Sequence, residues 1–534
     1  MNAASTTSDL LLVKSLLRPE AYPWKPDRVE LIETHISWVF LAGDRVVKVK
    51  RPVRFPFVDH TTVDRRRHSC EEEVRLNRRL SSGVYLGVVS IVQTKAGYAV
   101  DGKGQPVEWA TLMRRLPSDR MLDVLLTRGE RHEDLAEWLA HRLVPFHREG
   151  AGNCGNEPYG RASALAAVLT DNLAELEPFA GRYFGREQER LVAEAMRRFL
   201  AEQEALLERR VKDGWIRDGH GDLRAEHICV EEPGVIQIID CVEFNPAIRC
   251  ADVASDLAFL LVDLDRLGAA PIAQELLAAY RAGGVDLPPH LIRLYRAHRA
   301  LVRVKISCLT LISQHQPHPD LPAEIAQFLN IATRAALTVR PVLIIMTGLS
   351  GTGKSVVARA LADALGAALF ASDAVRKELA GVRGHAPAAW GEGIYQRAWT
   401  ERTYQRLVEL ARVSLANRQP VILDATFLES AYRHLAVQVA RESGVPLVIV
   451  ETRCDEDVVV ERITRRAAEA GAISDATLAI YQAQRERLAT HPPAVPEGAL
   501  VFHVDTTRDD PSRLDGLFAG LVKAEVIAAR LPEQ

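Results

Sequence analysis

The stretch LIIMTGLSGTGKS, from Leu343 to Ser355, decides the fold of the C-terminal part of the chain. An apolar run leads into a glycine-rich turn, and the turn leads into the amphipathic stretch VVARALADAL. This order is typical of a buried strand, a phosphate-binding loop and a helix. Gly348 to Ser355 also fit the pattern G-x-x-x-x-G-K-[ST] at every defined position. We therefore predict a P-loop here.

The residue types of this loop indicate its chemistry. Glycines let backbone amides turn inward around phosphate oxygens, the lysine reaches the β- and γ-phosphates, and the last hydroxyl holds Mg²⁺. We therefore expect the loop to bind ATP with Mg²⁺. The predicted nucleotide-binding residues are Gly348, Ser350, Gly351, Thr352, Gly353, Lys354 and Ser355, and Ser355 is also a predicted metal ligand.

Length and composition indicate that the loop belongs to a larger protein of ordinary globular type. The 534 residues are enough for about two to four domains. The net charge of −3 gives no global basic field for nucleic-acid binding. The seven cysteines form no C-x-x-C pair, and no apolar run reaches the roughly 18 residues of a membrane span. Because the first residues also lack the basic start of a signal peptide, we expect a cytoplasmic protein with reduced thiols and no membrane partner.

The chain divides most clearly between Ser313 and Pro341. The run SQHQPHPDLP predicts a loop, and Arg340-Pro341 precedes the strand VLIIMT. We predict a first domain over 1–338 and a second over 341–534. Short β-rich runs over 28–118 predict a small antiparallel sheet with a hairpin turn at Gly43-Asp44, and 119–338 is mostly helical in pattern. From 341 onward strands and helices alternate, which predicts a parallel sheet.

Other residues after the P-loop indicate what could be done with the phosphate. The apolar run PVILDATFL ends in Asp424, the expected carboxylate of the Mg²⁺ shell. Ala425 follows it, where ATPases of the AAA type usually carry a glutamate, so the sequence favours transfer to an acceptor over a mechanical ATPase. Asp373 is placed to accept a hydroxyl proton and Arg376 to hold an anionic group, although Asp373 could instead serve as a helix N-cap.

A cluster of basic residues follows in ERITRRAAEAG. Arg462, Arg465 and Arg466 have the i, i+3, i+4 spacing of one helix face. In a phosphate-transfer domain such a face can close over the triphosphate, and we predict catalytic roles for Arg462 and Arg466. A solvated helix face is the alternative.

These motifs resemble those of a family. GLSGTGKS, SDAVRKEL, VILDATF, Arg433 and ERITRR are similar to the P-loop kinases grouped with polynucleotide kinase, gluconate kinase and zeta toxins, over about residues 341–515. The resemblance implies an α/β P-loop fold with Asp373 as general base. It leaves the acceptor open among small-molecule hydroxyls, nucleotides and the end of a nucleic acid.

The stretch DGHGDLRAEHICV indicates what the first part of the chain does. Its order His220-Gly-Asp222-Leu-x-x-x-His227 matches the kinase catalytic loop H-R-D-L-x-x-x-N, with glycine for arginine and histidine for asparagine. Asp222 would accept the proton of the acceptor hydroxyl, and His227 would hold metal. The strand GVIQIID ends in Asp240, a second predicted metal ligand.

Two upstream runs supply the phosphate-binding pair. In RVVKVK, Lys48 and Lys50 share one strand face, and we favour Lys48 for the α- and β-phosphates. Glu73 in RRRHSCEEEVRLNRRL lies beside a stripe that includes Leu76 and Leu80, so it can turn inward toward the lysine.

HGDL resembles the aminoglycoside phosphotransferase family, over about residues 28–335. The resemblance implies an α+β protein-kinase-like fold that phosphorylates hydroxyls of small molecules. Taken whole, the chain is similar to bacterial fusions of such a domain with a P-loop kinase domain. His227 departs from the asparagine usual in the family, and since Mg²⁺ prefers oxygen donors, a weaker or differently held metal is left open.

Two hypotheses follow from the sequence. The first is a bifunctional phosphotransferase with two Mg·ATP sites, acting on hydroxyls of small molecules or nucleotides, with a nucleic-acid end as a further candidate for the C-terminal domain. The second is a single active P-loop kinase regulated by a nucleotide-binding, catalytically weak kinase-like domain. The oligomeric state is left open.

Overall fold

The computed structural model describes residues 7–55, 58–150, 157–313, 319–381, 396–468 and 477–532. Contacts group the chain into two compact units, one of Met1–Ala167 with Gln203–Arg296 and the other of Val168–Glu202 with Ala297–Gln534. The second unit contains the P-loop, and this P-loop unit also includes segments that precede residue 341 in the chain. The domain limits of 1–338 and 341–534 stay predictions.

The elements are numbered in chain order. The strands are β1 (Val29–Glu33), β2 (Ser37–Ala42), β3 (Arg45–Lys50), β4 (Arg54–Phe55), β5 (Val58–Asp59), β6 (Tyr85–Thr94), β7 (Gly97–Val100), β8 (Pro106–Arg114), β9 (Ile216–Asp218), β10 (Ile228–Glu232), β11 (Val235–Ile238), β12 (Cys250–Asp252), β13 (Thr338–Val339), β14 (Leu343–Thr347), β15 (Ala368–Ala371), β16 (Val421–Asp424), β17 (Leu447–Arg453), β18 (Leu500–Asp505) and β19 (Ile527–Ala528). The helices are α1 (Thr7–Leu16), α2 (Val63–Asn77), α3 (Leu122–Thr127), α4 (Leu135–Pro145), α5 (Glu157–Gly160), α6 (Ala162–Leu176), α7 (Arg186–Glu202), α8 (Glu204–Lys212), α9 (Pro246–Arg249), α10 (Val253–Arg266), α11 (Ala270–Ala282), α12 (Pro289–Ser313), α13 (Leu321–Ala336), α14 (Lys354–Leu365), α15 (Ser372–Leu379), α16 (Arg397–Ala416), α17 (Ser430–Glu442), α18 (Glu456–Ala468), α19 (Leu478–Thr490) and α20 (Asp515–Lys523).

The first unit is built on a six-stranded antiparallel sheet of order β1-β2-β3-β8-β6-β7. The predicted hairpin turn at Gly43-Asp44 is confirmed, since it joins β2 to β3, and Gly43 has a φ of +70° there. Alternate side chains of β2 and β3, such as Phe40, Val47 and Val49, are fully buried in a common core. Helix α2 packs against β8 and β6 and carries Glu73 on its buried side.

A mostly helical part follows in this unit, as the sequence predicts, and two short ribbons interrupt it. β9 pairs antiparallel with β12, and β10 pairs antiparallel with β11. The residues between β9 and β10 are those of the predicted catalytic loop. The predicted fold class, an antiparallel sheet followed by a helical part, is confirmed for this unit.

The second unit is built on a five-stranded parallel sheet of order β15-β16-β14-β17-β18. All five residues of the central strand β14 are buried, which explains their uninterrupted apolar run. The predicted parallel α/β sheet is confirmed. Helix α13 packs against both α14 and α7, and α20 also packs against α7, so early and late parts of the chain share this unit.

Two further expectations concern thiols and membranes. Among the described cysteines, Cys70, Cys229, Cys241, Cys308 and Cys454 are free thiols. Cys250 is disulfide-bonded, so the expectation of reduced thiols is wrong for this residue. Within the described ranges, no helix combines the length and the apolar character needed to cross a membrane.

Candidate functional sites

The predicted catalytic loop of the first unit is held by a neutral histidine. His220 is fully buried, and burial lowers its pKa to about 4. Its Nε2 donates to the carbonyl of Ile239 at 2.9 Å, and its Nδ1 accepts from the backbone N–H of Asp222 at 3.3 Å. His220 thereby ties Asp222 to the strand end that leads to Asp240.

A buried carboxylate holds the same loop from the other side. Asp256, on α10, accepts from the backbone N–H groups of His220 at 2.7 Å and Gly221 at 2.8 Å, and from Nε2 of His147 at 3.0 Å. Burial would raise the pKa of Asp256, but the hydrogen bonds from His147 and from the loop amides lower it below its usual range. Asp256 and His147 were missed by sequence reasoning, because their distance along the chain from the motif gives no local pattern.

The phosphate-binding pair comes together around Glu73. Lys48 Nζ lies 2.7 Å from Glu73 Oε1 and 2.5 Å from Asp240 Oδ1. One ammonium on β3 therefore contacts both α2 and the segment that follows β11. Burial opposes the charge of Lys48, but the carboxylates of Asp240 and Glu73 outweigh it and raise its pKa well above the usual value. The sequence favoured Lys48 over Lys50, and the structure places Lys48 beside Asp240.

Lys50 occupies a different position. Its side chain is 0% exposed, and its Nζ lies 2.9 Å from Glu73 Oε2 and 2.5 Å from Glu243 Oε1. Thr111 completes the surroundings by donating to Glu73 Oε2 at 2.8 Å. Lys50 therefore contacts the carboxylate oxygen of Glu73 that Lys48 does not contact. Glu243 is a site residue that sequence reasoning missed.

Asp222, His227 and Asp240 lie close to one another, and Asp240 contacts Lys48. His227 Nδ1 donates to the backbone carbonyl of Asp222 at 2.9 Å, and its Nε2 lies 3.6 Å from Asp240 Oδ2. Burial would raise the pKa of Asp240, but the ammonium of Lys48 holds it below its usual range. The structure thus brings Lys48, Glu73, Asp222, His227 and Asp240 into one site.

Arg224 adds a contact that the sequence analysis did not foresee. Its Nε donates to Asp222 Oδ1 at 2.8 Å and its Nη2 donates to Asp222 Oδ2 at 2.9 Å. Burial would raise the pKa of Asp222, but this bidentate ion pair lowers it. Asp222 is therefore an ionised carboxylate, and Arg224 donates to both of its oxygens.

In the second unit, the geometry of the P-loop fits bound phosphate. Gly348, Gly351 and Gly353 have φ values of +133°, +84° and +82°, which favour glycine. Turns of this kind can direct backbone amides toward an anion. A Cβ at Gly348 would lie 2.7 Å from Thr452 Oγ1. Lys354 Nζ donates to the carbonyl of Leu349 at 2.8 Å, and the exposed Ser355 lies in the first turn of α14.

The side chains predicted around the phosphate lie at one edge of the sheet. Asp424 ends β16, which lies between β14 and β15, and it is buried. Thr347, at the end of β14, donates through Oγ1 to the carbonyl of Thr426 at 3.0 Å, so the two strand ends are tied together. Because carboxyl ends of parallel strands form the ligand-binding edge of open α/β sheets, the P-loop and Asp424 share the expected position.

Asp373 and Arg376 form an ion pair at the same edge. Arg376 Nη1 lies 3.2 Å from Asp373 Oδ1, one helical turn along α15. The residue at the N-cap of α15 is Ala371, whose methyl group cannot accept a hydrogen bond, so capping does not explain Asp373. Its side chain is 31% exposed, which leaves the carboxylate accessible to an acceptor.

Arg462 and Arg465 of α18 line the same cavity but differ in their contacts. Arg462 Nη2 donates to the carbonyl of Thr506 at 2.6 Å and lines a cavity of about 510 Å³ beside Gly351 and Gly353. Arg465 is 67% exposed and lies 3.9 Å from Glu461. The side chain of Arg466, the other predicted catalytic arginine of this helix, lies outside the described residues.

Two further observations complete the second site. Arg433 is buried, with Nε donating to the carbonyl of Phe427 at 2.9 Å and Nη2 to Thr347 Oγ1 at 3.1 Å, so it supports the strand ends. Thr506, Asp509 and Arg513 line the 510 Å³ cavity and were missed, because they follow β18 without a recognisable motif. Among the described residues, no group of three His, Cys, Asp or Glu side chains is arranged to hold a metal ion.

Comparison with known proteins gives a close relative over most of the chain. The uncharacterized protein Rv2004c of Mycobacterium tuberculosis (strain ATCC 25618 / H37Rv) is 34% identical over 466 residues, which cover 86% of this chain and 90% of that protein. This chain belongs to the same family. A family model described as an AAA domain matches residues 343–491, a range that contains the P-loop, Asp373, Asp424 and Arg462.

Solved structures give more distant likenesses. A gluconokinase from Sinorhizobium meliloti 1021 is 24% identical and covers 35% of this chain and 95% of its own, with a TM-score of 0.24. A choline/ethanolamine kinase family protein from Mesorhizobium loti is 14% identical and covers 61% of this chain and 94% of its own, with a TM-score of 0.37. At these scores the fold assignment depends on the strands and helices described above.

Proposed function

We propose that this protein is an ATP-dependent phosphotransferase with two nucleotide sites, each transferring the γ-phosphoryl group to a hydroxyl. One observation carries the proposal: each unit combines cationic phosphate-binding groups with a carboxylate placed to accept a proton. In the first unit these are Lys48 and Asp222, and in the second they are the P-loop with Lys354 and Asp373.

In the first site, bound ATP supplies the phosphoryl group, and the side chains position it. Lys48, fixed by Glu73, is placed to neutralise phosphate oxygens. Asp222 accepts the proton of the acceptor hydroxyl, and its lowered pKa keeps it ionised for that role. Asp240 and His227 would hold the metal ion. Arg224 fixes the orientation of Asp222, and each carboxylate oxygen keeps a second lone pair that can accept from the hydroxyl.

In the second site, the loop amides and Lys354 hold the phosphates, while Ser355 and Asp424 supply oxygen ligands for Mg²⁺. Asp373 accepts the hydroxyl proton, Arg376 holds an anionic part of the acceptor, and Arg462 and Arg466 neutralise charge that develops in the transition state. We propose acceptors among small molecules and nucleotides, with a nucleic-acid end as a further candidate for this site.

The test is a transfer assay with γ-labelled ATP and a panel of nucleosides, sugars, aminoglycosides and a 5′-hydroxyl oligonucleotide. Asp222→Asn and Asp373→Asn keep side-chain size while removing the proton acceptor. We expect each to lower one labelled product by about 10²–10⁴-fold and to spare the other. Glu525→Gln, on an exposed residue away from both sites, is the control. Label released only to water would contradict the proposal.

Arg224 favours a second candidate function, in which the first unit binds nucleotide and regulates the second. Its guanidinium pairs with both oxygens of Asp222 and lowers the basicity of the carboxylate, which would weaken it as a proton acceptor. Under this candidate, Asp222→Asn leaves every labelled product intact. Lys48→Met, which removes the phosphate-binding cation, instead changes the rate of the Asp373-dependent reaction.

A further inference from the structure

We propose that the first site selects a divalent transition-metal cation over Mg²⁺ through Nε2 of His227, whereas the second site takes Mg²⁺. The inference rests on the proposed function to the extent that the first site must bind a metal–nucleotide complex. It concerns the identity of the cation, and it does not require that phosphoryl transfer occurs there.

Hydrogen bonds fix which nitrogen of His227 is available. The carbonyl of Asp222 can only accept, so Nδ1, 2.9 Å away, carries the proton. The guanidinium of Arg224 can only donate, and its Nη2 lies 3.3 Å from Nε2, so Nε2 carries the lone pair. A backbone carbonyl that accepts from one ring nitrogen while the other faces a cation is the usual arrangement of metal-bound histidines.

A carboxylate oxygen lies near Nε2 and could share with it a cation that takes the place of the Arg224 guanidinium. Asp240 Oδ2 lies 3.6 Å from Nε2, while Oδ1 of the same group accepts from Lys48. Two atoms bound to one cation at about 2.1 Å lie roughly 3.0–3.6 Å apart. Glu226 Oε1 also faces Nε2, at 3.9 Å, and pairs with Arg224. Since no three-residue metal cluster occurs in the described ranges, phosphate oxygens and water must complete the shell.

The donor types separate the two sites. Imidazole nitrogen suits transition cations, whose affinity for such ligands rises along the first-row series, whereas Mg²⁺ is bound by oxygen. The first site offers one imidazole and one carboxylate. The second offers the hydroxyl of Ser355 and the carboxylate of Asp424, which are both oxygen donors. The two sites would thus differ in one ligand atom, a nitrogen in the first and an oxygen in the second, and would therefore prefer different cations.

Mn²⁺ is a suitable probe because it is paramagnetic and binds both oxygen and nitrogen. The full-length protein is uniformly labelled with ¹⁵N and carries Lys354→Ala, which weakens nucleotide binding in the second site. Pulsed electron paramagnetic resonance is recorded with Mn²⁺ and a non-hydrolysable ATP analogue at natural abundance. We expect a ¹⁵N coupling to Mn²⁺ that appears only with nucleotide. It should vanish in His227→Asn and persist in His434→Asn, a change on the exposed surface of α17.

Competition between Mg²⁺ and Mn²⁺ gives an independent measure of the cation preference of the first site. Displacement of Mn²⁺ by Mg²⁺ is followed in the same proteins, and we expect His227→Asn, which restores an oxygen donor, to lower the preference for Mn²⁺ over Mg²⁺ by about tenfold. Melting curves check that the variant folds. If it does not, the ¹⁵N coupling in the protein with His227 intact still decides the matter.

The outcomes separate this inference from the proposed function. Absence of ¹⁵N coupling while nucleotide is bound, or an unchanged cation preference in folded His227→Asn, overturns the inference even if phosphoryl transfer is observed. Coupling that depends on His227 supports it even if no acceptor is ever labelled.

Discussion

Lys50 is a buried cation that lies between two buried carboxylates, Glu73 and Glu243. Burial raises the pKa of Glu243, whereas Lys48 and Lys50 lower that of Glu73 against the effect of burial. Removing one charged member of such a cluster lowers the free energy of unfolding, because the remaining charges stay buried without a partner. We infer that Lys50 and Glu243 keep Glu73 oriented toward Lys48.

This arrangement predicts the effect of removing one charge. Lys50→Met should lower the free energy of unfolding by about 3 kcal/mol, because two carboxylates then face each other without the ammonium. Lys50→Met combined with Glu243→Gln should recover a large part of that loss. Native-state hydrogen exchange of the β3 amides measures both, and a double mutant that only adds the two single losses would contradict the coupling.

His220 predicts how stability depends on pH. Its ordinary pKa is 6.5, and in the folded protein it is about 4. Between these values the unfolded chain binds a proton that the folded chain does not, so the free energy of unfolding falls as the pH is lowered from 6.5 to 4. The contribution is about 3 kcal/mol over that window.

Histidine ring signals in NMR spectra should show His220 titrating only near pH 4. His220→Asn should remove this part of the pH dependence, while other buried histidines, such as His60, keep theirs. A His220 signal that titrates near pH 6.5 in the folded protein would show that the ring is not held neutral.

At the scale of elements, the catalytic loop depends on a backbone position that excludes side chains. Gly221 has a φ of +84°, and a Cβ there would lie 3.0 Å from Arg249 Cβ and 3.2 Å from Val242 Cβ. The glycine of His-Gly-Asp therefore reflects close packing against Arg249, the last residue of α9, and Val242, in the segment that follows Asp240. A larger residue would move Asp222.

Gly214→Ala provides a matched control for this position. Gly214 has a φ of +76°, and an added Cβ would meet no described atom within 4 Å, so its substitution introduces backbone strain alone. We expect Gly214→Ala to cost about 1 kcal/mol and Gly221→Ala about 2–3 kcal/mol, with loss of Asp222-dependent transfer only in the latter. Chemical denaturation and the transfer assay measure the two effects, and equal costs would argue against the packing explanation.

At the scale of the whole molecule, the P-loop unit includes helices that precede the P-loop by more than a hundred residues in the chain. Asp515, the first residue of α20, accepts from the backbone N–H groups of Arg186 and Glu187 at 3.1 Å each. It thus caps the start of α7 from the far end of the sequence. Gln188 continues the contact by donating to Asn330 and Thr333 of α13.

Removing this distant cap should loosen α7. Asp515→Ala should cost about 1 kcal/mol, the usual value of a helix N-cap, and raise hydrogen exchange of the first amides of α7 about fivefold. Glu525→Ala is the control, since Glu525 makes only an exposed ion pair with Arg340 among the described contacts. An unchanged exchange rate in Asp515→Ala would show that α7 is fixed by other contacts.

The sequence by itself determined both fold classes and predicted the residues of each site. Glycine spacing and apolar strands are local patterns, and Lys48, Glu73, Asp222 and Asp240 were predicted because kinase motifs require those residue types in that chain order. Tertiary structure alone decided that Lys50 lies behind Glu73, that Arg224 covers Asp222, that Asp256 with His147 holds the catalytic loop, and that α7 joins the P-loop unit. These features depend on contacts between distant residues or on side-chain direction, and neither has a period that a sequence can show.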